Sequence, residues 1–181
     1  MRARYESGPR ILHVDATFKL NQLGYPVIVV GVSDCARSFL LVALFVSSQR
    51  SEPHHMEMFA ALNRIHGQVL DKAFIFQDVM GYADGVQLNG IRRGLDGDED
   101  VRYLRCFYHV VAKGFDKMRA LLPSLANTLI AGVHDMHFSL SDDNFVKTKE
   151  NVLAAWSDIL ELTAFSAYFQ SQWLTGRFTR W

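Results

Sequence analysis

The sequence predicts an α/β protein in which a mixed five-stranded sheet is followed by an all-helical region. Residues 12–20 alternate strictly between apolar and polar side chains, which is typical of a strand with one buried side. Two near-continuous apolar runs follow at 27–32 and 39–47, separated by a short turn. After Ser51 the apolar residues change to a helical spacing. These patterns predict a meander of strands, followed by alternating helices and strands.

The first three strands form an antiparallel meander in this prediction. Strand one covers residues 11–20, and turn-like segments at 21–24 and 33–38 lead to strands two and three. Turns as short as these join antiparallel neighbours. Because the second and third strands are apolar on both faces, we expect layers on both sides of the sheet.

A helix and two further strands complete the predicted sheet. Pro53 marks the first turn of a helix that ends near Gly67. Residues 73–76 predict a fourth strand that Asp78 closes, and residues 101–107 predict a fifth. The glycine-rich stretch between these strands contains a short helix at best. This order of elements is that of the ribonuclease H-like α/β fold.

The remainder of the chain is predicted to be helical. A helix at 109–122 ends the first of two regions. The predicted division is a ribonuclease H-like core at 1–122 and a helical insertion at 123–181. Ser141 caps one of the later helices, since serine is favoured at a helix start.

The overall composition bears on the class of protein. The chain has 19 basic and 19 acidic residues, so it lacks the basic excess of a dedicated nucleic-acid-binding protein. A hydrophobic content of 49% predicts a folded core. Two separate cysteines, Cys35 and Cys106, indicate a reducing compartment. No apolar run is long enough to span a bilayer, so we expect a soluble intracellular protein without a membrane partner.

Two carboxylates occupy positions where the predicted fold can assemble a metal site. Asp15 lies in the middle of strand one and Asp78 at the tip of strand four, and these strands are neighbours in a ribonuclease H-like sheet. Two carboxylates there can hold a pair of Mg²⁺ ions ~4 Å apart, which serve the attacking and leaving oxygens of phosphoryl transfer. The alternative is that Asp15 lies on a solvated face and Asp78 begins a turn. Asp84 is a secondary acid in the same stretch.

A C-x-x-H pair is the second pattern that can bind a metal. Cys106 and His109 can form half of a zinc site, and His134 and His137 can supply the other ligands from one helical face. The alternative is a buried thiol beside a helix-start histidine, with His137 packed against aromatic residues. His54–His55 is predicted to be a solvated helix start.

Several segments resemble the transposase domain of Mutator-like elements (MULE). The combination of the segment HVDATFKL, which contains Asp15, with the C-x-x-H pair is more specific than either part. The similar segments are residues 13–20 (HVDATFKL), 25–27 (YPV), 31–33 (GVS), 74–78 (FIFQD), 106–109 (CFYH), 136–138 (MHF) and 169–181. The resemblance therefore extends over essentially the whole chain.

This resemblance implies an enzyme that cuts and rejoins DNA. The family uses an Asp-Asp-Glu triad with Mg²⁺ or Mn²⁺, and Asp15 and Asp78 carry over as its first two acids. The implied partner is transposon-end DNA and the implied location is the nucleus. In the family the glutamate follows the helical insertion in an N-N-x-x-E-like element, which has no match after Trp173. We therefore expect the third acid beyond Trp181 and no cleavage by this chain alone.

A non-catalytic role is the alternative hypothesis. In it the chain is a transposon-derived interaction module that forms homo-oligomers through its C-terminal helices. Aromatic residues predicted to be exposed there motivate it, namely Phe165, Phe169, Trp173 and Trp181. An unrelated ribonuclease H-like nuclease is a third hypothesis, but it leaves the C-x-x-H pair and the helical extension unexplained.

Overall fold

The structure of this chain, a computed structural model, describes residues 10–18, 20–36, 38–82, 84–95, 101–119, 121–176 and 179–181. The chain divides into two compact units, Met1–Leu104 and Arg105–Trp181. The predicted division between residues 122 and 123 lies one helix later than this one. Each unit buries a hydrophobic core of its own.

The first unit is built on a mixed sheet with the strand order β3-β2-β1-β4-β5. β1 pairs with β2 and β2 with β3 in antiparallel fashion, whereas β1 and β4 are parallel. The strands are β1 (Ile11–Thr17), β2 (Val27–Ser33), β3 (Phe39–Val46), β4 (Asp78–Gly81) and β5 (Arg102–Arg105). The predicted antiparallel meander and the mixed five-stranded sheet are confirmed.

β1 has one buried face and one open face, as its alternating pattern predicts. Leu12 and Val14 are 0% and 1% exposed, whereas Asp15 is exposed to solvent. Val32 and Val30 of β2 lie opposite the two buried residues and are buried as well. We call the side of the sheet that carries these four apolar residues the covered face and the side that carries Asp15 the open face.

Two helices complete the core of the first unit. α1 (Glu52–Leu70) buries Phe59 and Leu62, and α2 (Gly85–Gly94) buries Leu88 and Ile91. These apolar residues recur at the helical period, because only one side of each helix faces the core. α1 ends at Leu70, about one turn beyond its predicted end near residue 67.

α1 and α2 approach closely because two positions of α2 carry no side chain. A Cβ on Gly90 would lie 2.9 Å from the Glu52 carbonyl oxygen and 3.1 Å from the Met56 nitrogen. A Cβ on Gly94 would lie 2.7 Å from Cβ of Phe59. Two of these three neighbours are backbone atoms, so a larger residue cannot be accommodated by a rotamer change.

The predicted strand at 73–76 is wrong, and the fourth strand begins at Asp78 instead. Phe74 is buried, its N–H donates to Asn63 Oδ1 at 3.0 Å, and its ring lies 5.0 Å from the His66 ring. Both of these partners belong to α1. The apolar pattern at 73–76 thus arises because the segment packs on a helix, not because it pairs in the sheet.

The second unit is helical, as predicted. It contains α3 (Phe107–Met118), α4 (Pro123–His137), α5 (Asp142–Ser157), a 3₁₀ turn at Leu160–Leu162, α6 (Thr163–Phe169) and a π-helical turn at Gln170–Leu174. The predicted cap of α5 is confirmed, since Ser141 Oγ accepts a hydrogen bond from the Asn144 N–H at 3.1 Å. Within the described ranges, no helix has both the length and the apolar character needed to cross a bilayer.

Trp156 is at the centre of the second unit. Its ring lies edge-on to the rings of Phe165 and Phe169, with centroids 5.5 Å away in both cases. A Cβ on Gly132 of α4 would lie 2.8 Å from Trp156 Cζ2, so the glycine gives the indole its space. Both phenylalanines are buried, and the expectation that they are exposed is therefore wrong. The last helix turns its aromatic side inward, because these rings complete the core of the unit.

Candidate functional site

Asp15 lies on the open face, in the middle of the central strand. Its carboxylate accepts a hydrogen bond from the Ala16 N–H at 2.8 Å. Two residues earlier on the same face, His13 Nε2 lies 2.7 Å from Ser33 Oγ. Burial lowers the pKa of His13, so this imidazole is neutral at pH 7. The open face thus presents one exposed carboxylate beside a neutral imidazole–hydroxyl pair.

Asp78 is the first residue of β4, whereas the prediction placed it at the end of the fourth strand. The Arg102 guanidinium donates to both of its carboxylate oxygens, at 2.8 and 2.7 Å. The side chain of Asp78 is 12% exposed and that of Arg102 is 55% exposed. The hydrogen bonds from Arg102 to Asp78 raise the pKa of the guanidinium. The backbone N–H of Arg102 also donates to the Gln77 carbonyl oxygen at 2.8 Å. This hydrogen bond and the ion pair together hold β5 to the start of β4.

The sheet register separates Asp15 from Asp78. In the parallel β1–β4 pair, Asp78 lies opposite Ile11 and Met80 lies opposite His13. Asp15 is four residues further along β1, which corresponds to about 13 Å along the strand direction. The two acids are on the same side of the sheet but at opposite ends of the β1–β4 pair. The structure therefore does not bring together the two carboxylates that the sequence pairs.

Tyr82 is the residue level with Asp15 when the β1–β4 register is continued past the end of β4. Its backbone N–H donates to Gln87 Oε1 at 3.4 Å, and the Tyr103 hydroxyl donates to the same oxygen. A Cβ on Gly81 would collide with both Gln87 and Tyr103. The buried Gln87 thus fixes the turn after β4, and with it the position of Tyr82. Only the register identifies this residue, and no pattern in the sequence marks it.

Asp84 begins α2, and its charge acts on a histidine of α1. Its Oδ1 accepts a hydrogen bond from the Val86 N–H at 2.9 Å. His55 is 2% exposed, so the prediction that it is solvated is wrong. Burial lowers the pKa of His55, while the negative charge of Asp84 opposes this shift. His55 lies one helical turn before Phe59, and this spacing is the signal in the sequence for a buried histidine.

The C-x-x-H pair begins α3 in the second unit. Cys106 is the residue before the helix, and its carbonyl oxygen accepts a hydrogen bond from the His109 N–H at 3.0 Å. The His137 ring stacks on the Phe107 ring, with centroids 3.7 Å apart and planes 6° from parallel. Burial lowers the pKa of His137, and a hydrogen bond to the Trp181 backbone opposes this shift. His137 is thus part of an aromatic stack.

The described residues do not fit a bound metal at either predicted site. Across the parts of the chain that the structure describes, no three His, Cys, Asp or Glu side chains come together as a ligand group. A structural zinc needs four ligands, and a two-metal centre needs several carboxylates around both ions. Neither the pair Asp15 and Asp78 nor the set Cys106, His109, His134 and His137 is arranged in that way.

Comparison with known proteins adds no relative to this picture. No protein-family model matches the chain, and no curated protein matches its sequence.

Proposed function

We propose that this chain is the ribonuclease H-like core of a Mutator-like DNA transposase with an incomplete metal site, and that it does not cleave DNA by itself. The observation that carries the proposal is the place of Tyr82. Tyr82 directly follows β4 and is level with Asp15 when the β1–β4 register is continued by two residues, which is where a second acid would adjoin Asp15 and share a metal ion with it. In the intact family the substrate is DNA and the location is the nucleus.

The strand order supports the ribonuclease H-like part of this proposal. Three antiparallel strands are followed by a helix that returns the chain to the other side of β1, where β4 runs parallel to it. This arrangement brings the residues that follow β4 beside the middle of β1. Ligands of open α/β sheets bind at such an edge, at the carboxyl ends of the parallel strands.

The side chains at that edge explain why we expect no cleavage. Mg²⁺ in proteins is held by carboxylates, phosphates and water, and the phenol of Tyr82 is none of these. Asp78 lies about 13 Å from the level of Asp15, and both of its oxygens are bound by Arg102. Among the residues that the structure describes, no second carboxylate is therefore level with Asp15, as a phosphoryl-transfer centre would require. No catalytic step follows from this set of residues.

The substitution Tyr82→Asp tests the proposal by placing a carboxylate level with Asp15. We expect the variant to bind Mn²⁺ by calorimetry at least tenfold more tightly than the unmodified chain, and the added Asp15→Asn substitution to remove the gain. Tyr25→Asp is the matched control, because Tyr25 and Tyr82 are both 44% exposed. It should leave Mn²⁺ binding unchanged.

Nicking of supercoiled DNA tests the second half of the proposal. With Mg²⁺ or Mn²⁺ present, the unmodified chain should nick no faster than its Asp15→Asn variant. Nicking that depends on Asp15 would show that the site is complete without a carboxylate at position 82. A folded Tyr82→Asp variant that gains no Mn²⁺ affinity would show that this position does not adjoin Asp15.

A further inference from the structure

We propose that two copies of this chain associate through β3, by antiparallel pairing of their edge strands. β3 is at one edge of the sheet, and its sequence is FLLVALFV. Four of its residues on the open face are exposed to solvent: Phe39, Leu41, Leu44 and Val46. This inference is independent of the metal site and of the proposed function.

The backbone of β3 determines that its partner is another strand. An edge strand has one row of N–H and C=O groups that point away from its sheet, and a second strand can pair with this row. Many proteins protect such an edge with lysine, other charged residues, proline or a β-bulge. No charged residue and no proline occurs between Phe39 and Val46. A bulge at Val42, opposite the step from Val30 to Gly31, is the one feature of this kind in the strand.

The register of β3 makes the strand complementary to itself. In antiparallel pairing, residues that lie opposite each other must be on the same face. A two-fold axis at the centre of β3 pairs Phe39 with Val46 and Leu41 with Leu44, all four on the open face. It also pairs Leu40 with Phe45, both on the covered face. The bulge adds one residue halfway along the strand, so odd-numbered residues before it and even-numbered residues after it lie on the open face. Two-fold pairing over the full strand therefore places open-face residues opposite open-face residues, and covered-face residues opposite covered-face residues.

The charge of β3 favours a second copy as the occupant. The strand carries no charged side chain, so two copies meet without like-charge repulsion. A two-fold contact also uses the same surface on both subunits, which an uncharged, self-complementary strand provides. One pair of strands buries less than the roughly 800 Å² per partner of a standard interface, so we expect dissociation in the micromolar range.

Sedimentation velocity over a range of concentrations tests the proposal. The unmodified chain should change from monomer to dimer as its concentration rises through the micromolar range. The double variant Leu44→Lys/Val46→Lys should weaken association at least tenfold, because lysine at an edge opposes pairing. Val69→Lys on α1 is the matched control, since Val46 and Val69 are both 69% exposed, and it should associate as the unmodified chain does.

Hydrogen exchange distinguishes strand pairing from other modes of association. The amides of β3 should exchange more slowly in the dimer than in the monomer, whereas those on the exposed side of α1 should not change. A monomer at all concentrations would overturn the proposal. It would also be overturned by a dimer that persists in the double variant, or by one that leaves the β3 amides unprotected.

Discussion

The two faces of the sheet in the first unit use the same strands in different ways. On the covered face, Leu12 and Val14 are enclosed by apolar neighbours, and α1 and α2 supply the rest of the core. On the open face, Asp15 and the outer residues of β3 reach solvent. Because side chains alternate along a strand, one sequence specifies packing on one face and contact chemistry on the other.

This difference shows that burial, and not residue type, determines what a side chain does here. Asp15 and Asp78 are both aspartates on the same side of the sheet. Asp78 is enclosed and paired with Arg102, so it holds two strands together, whereas Asp15 is exposed to solvent. The predictions below test this contrast in order of decreasing effect.

The largest effect is expected on the covered side, at Gly90. The substitution Gly90→Ala puts a methyl group against the backbone of α1 and should destabilise the first unit by about 1–3 kcal/mol. Gly85→Ala, in the same helix, is the control, because a Cβ there meets nothing within 4 Å. Urea titration, monitored through hydrogen exchange of the β1 amides, measures the free energy of unfolding of both variants. Equal stability of the two variants would contradict the close approach of α1 and α2.

A smaller effect is expected when the two aspartates are compared directly. Asp78→Asn removes the negative charge that Arg102 binds at two oxygens and should lower the melting temperature by several degrees. Asp15→Asn changes an exposed side chain and should alter the melting temperature by less than about 2 °C. Differential scanning calorimetry compares them. A larger fall of the melting temperature in Asp15→Asn than in Asp78→Asn would contradict the prediction.

Acidification should give the smallest effect. Folding lowers the pKa of His55 below its ordinary value of 6.5, through burial. The unfolded chain therefore binds this proton more readily, so the stability is fully present above pH 6.5 and decreases as the pH falls below it. The melting temperature should fall less between pH 7 and pH 5 in His55→Leu than in the unmodified chain. An equal fall of the melting temperature in His55→Leu and in the unmodified chain would contradict the prediction.

The strands that the sequence predicts well are those whose burial is one-sided or complete over many residues. β1 is recognised because its alternation extends over nearly the whole strand, and β2 because residues 27–32 carry no polar side chain. β4 has only four residues, which is too short for a period to be seen. The apolar run at 73–76 misleads because a segment that packs against α1 can be as apolar as a strand that pairs in a sheet.

The candidate site is less predictable than the fold, because register is a property of pairs of strands. Asp15 is placed correctly in the middle of β1 from its own neighbours. Which residue lies level with it depends on how β4 pairs with β1, and the sequence of either strand alone does not contain that information. The sequence therefore points to Asp78, whereas the register points to Tyr82.

The aromatic core of the second unit makes it optically distinct from the first. The chain has three tryptophans, Trp156, Trp173 and Trp181, and all belong to the second unit. Trp156 is enclosed by apolar side chains, so its emission should be at short wavelength and shift to the red when that core opens. Indole fluorescence thus reports on the helical unit alone. Loss of ordered backbone without a red shift would identify unfolding of the sheet.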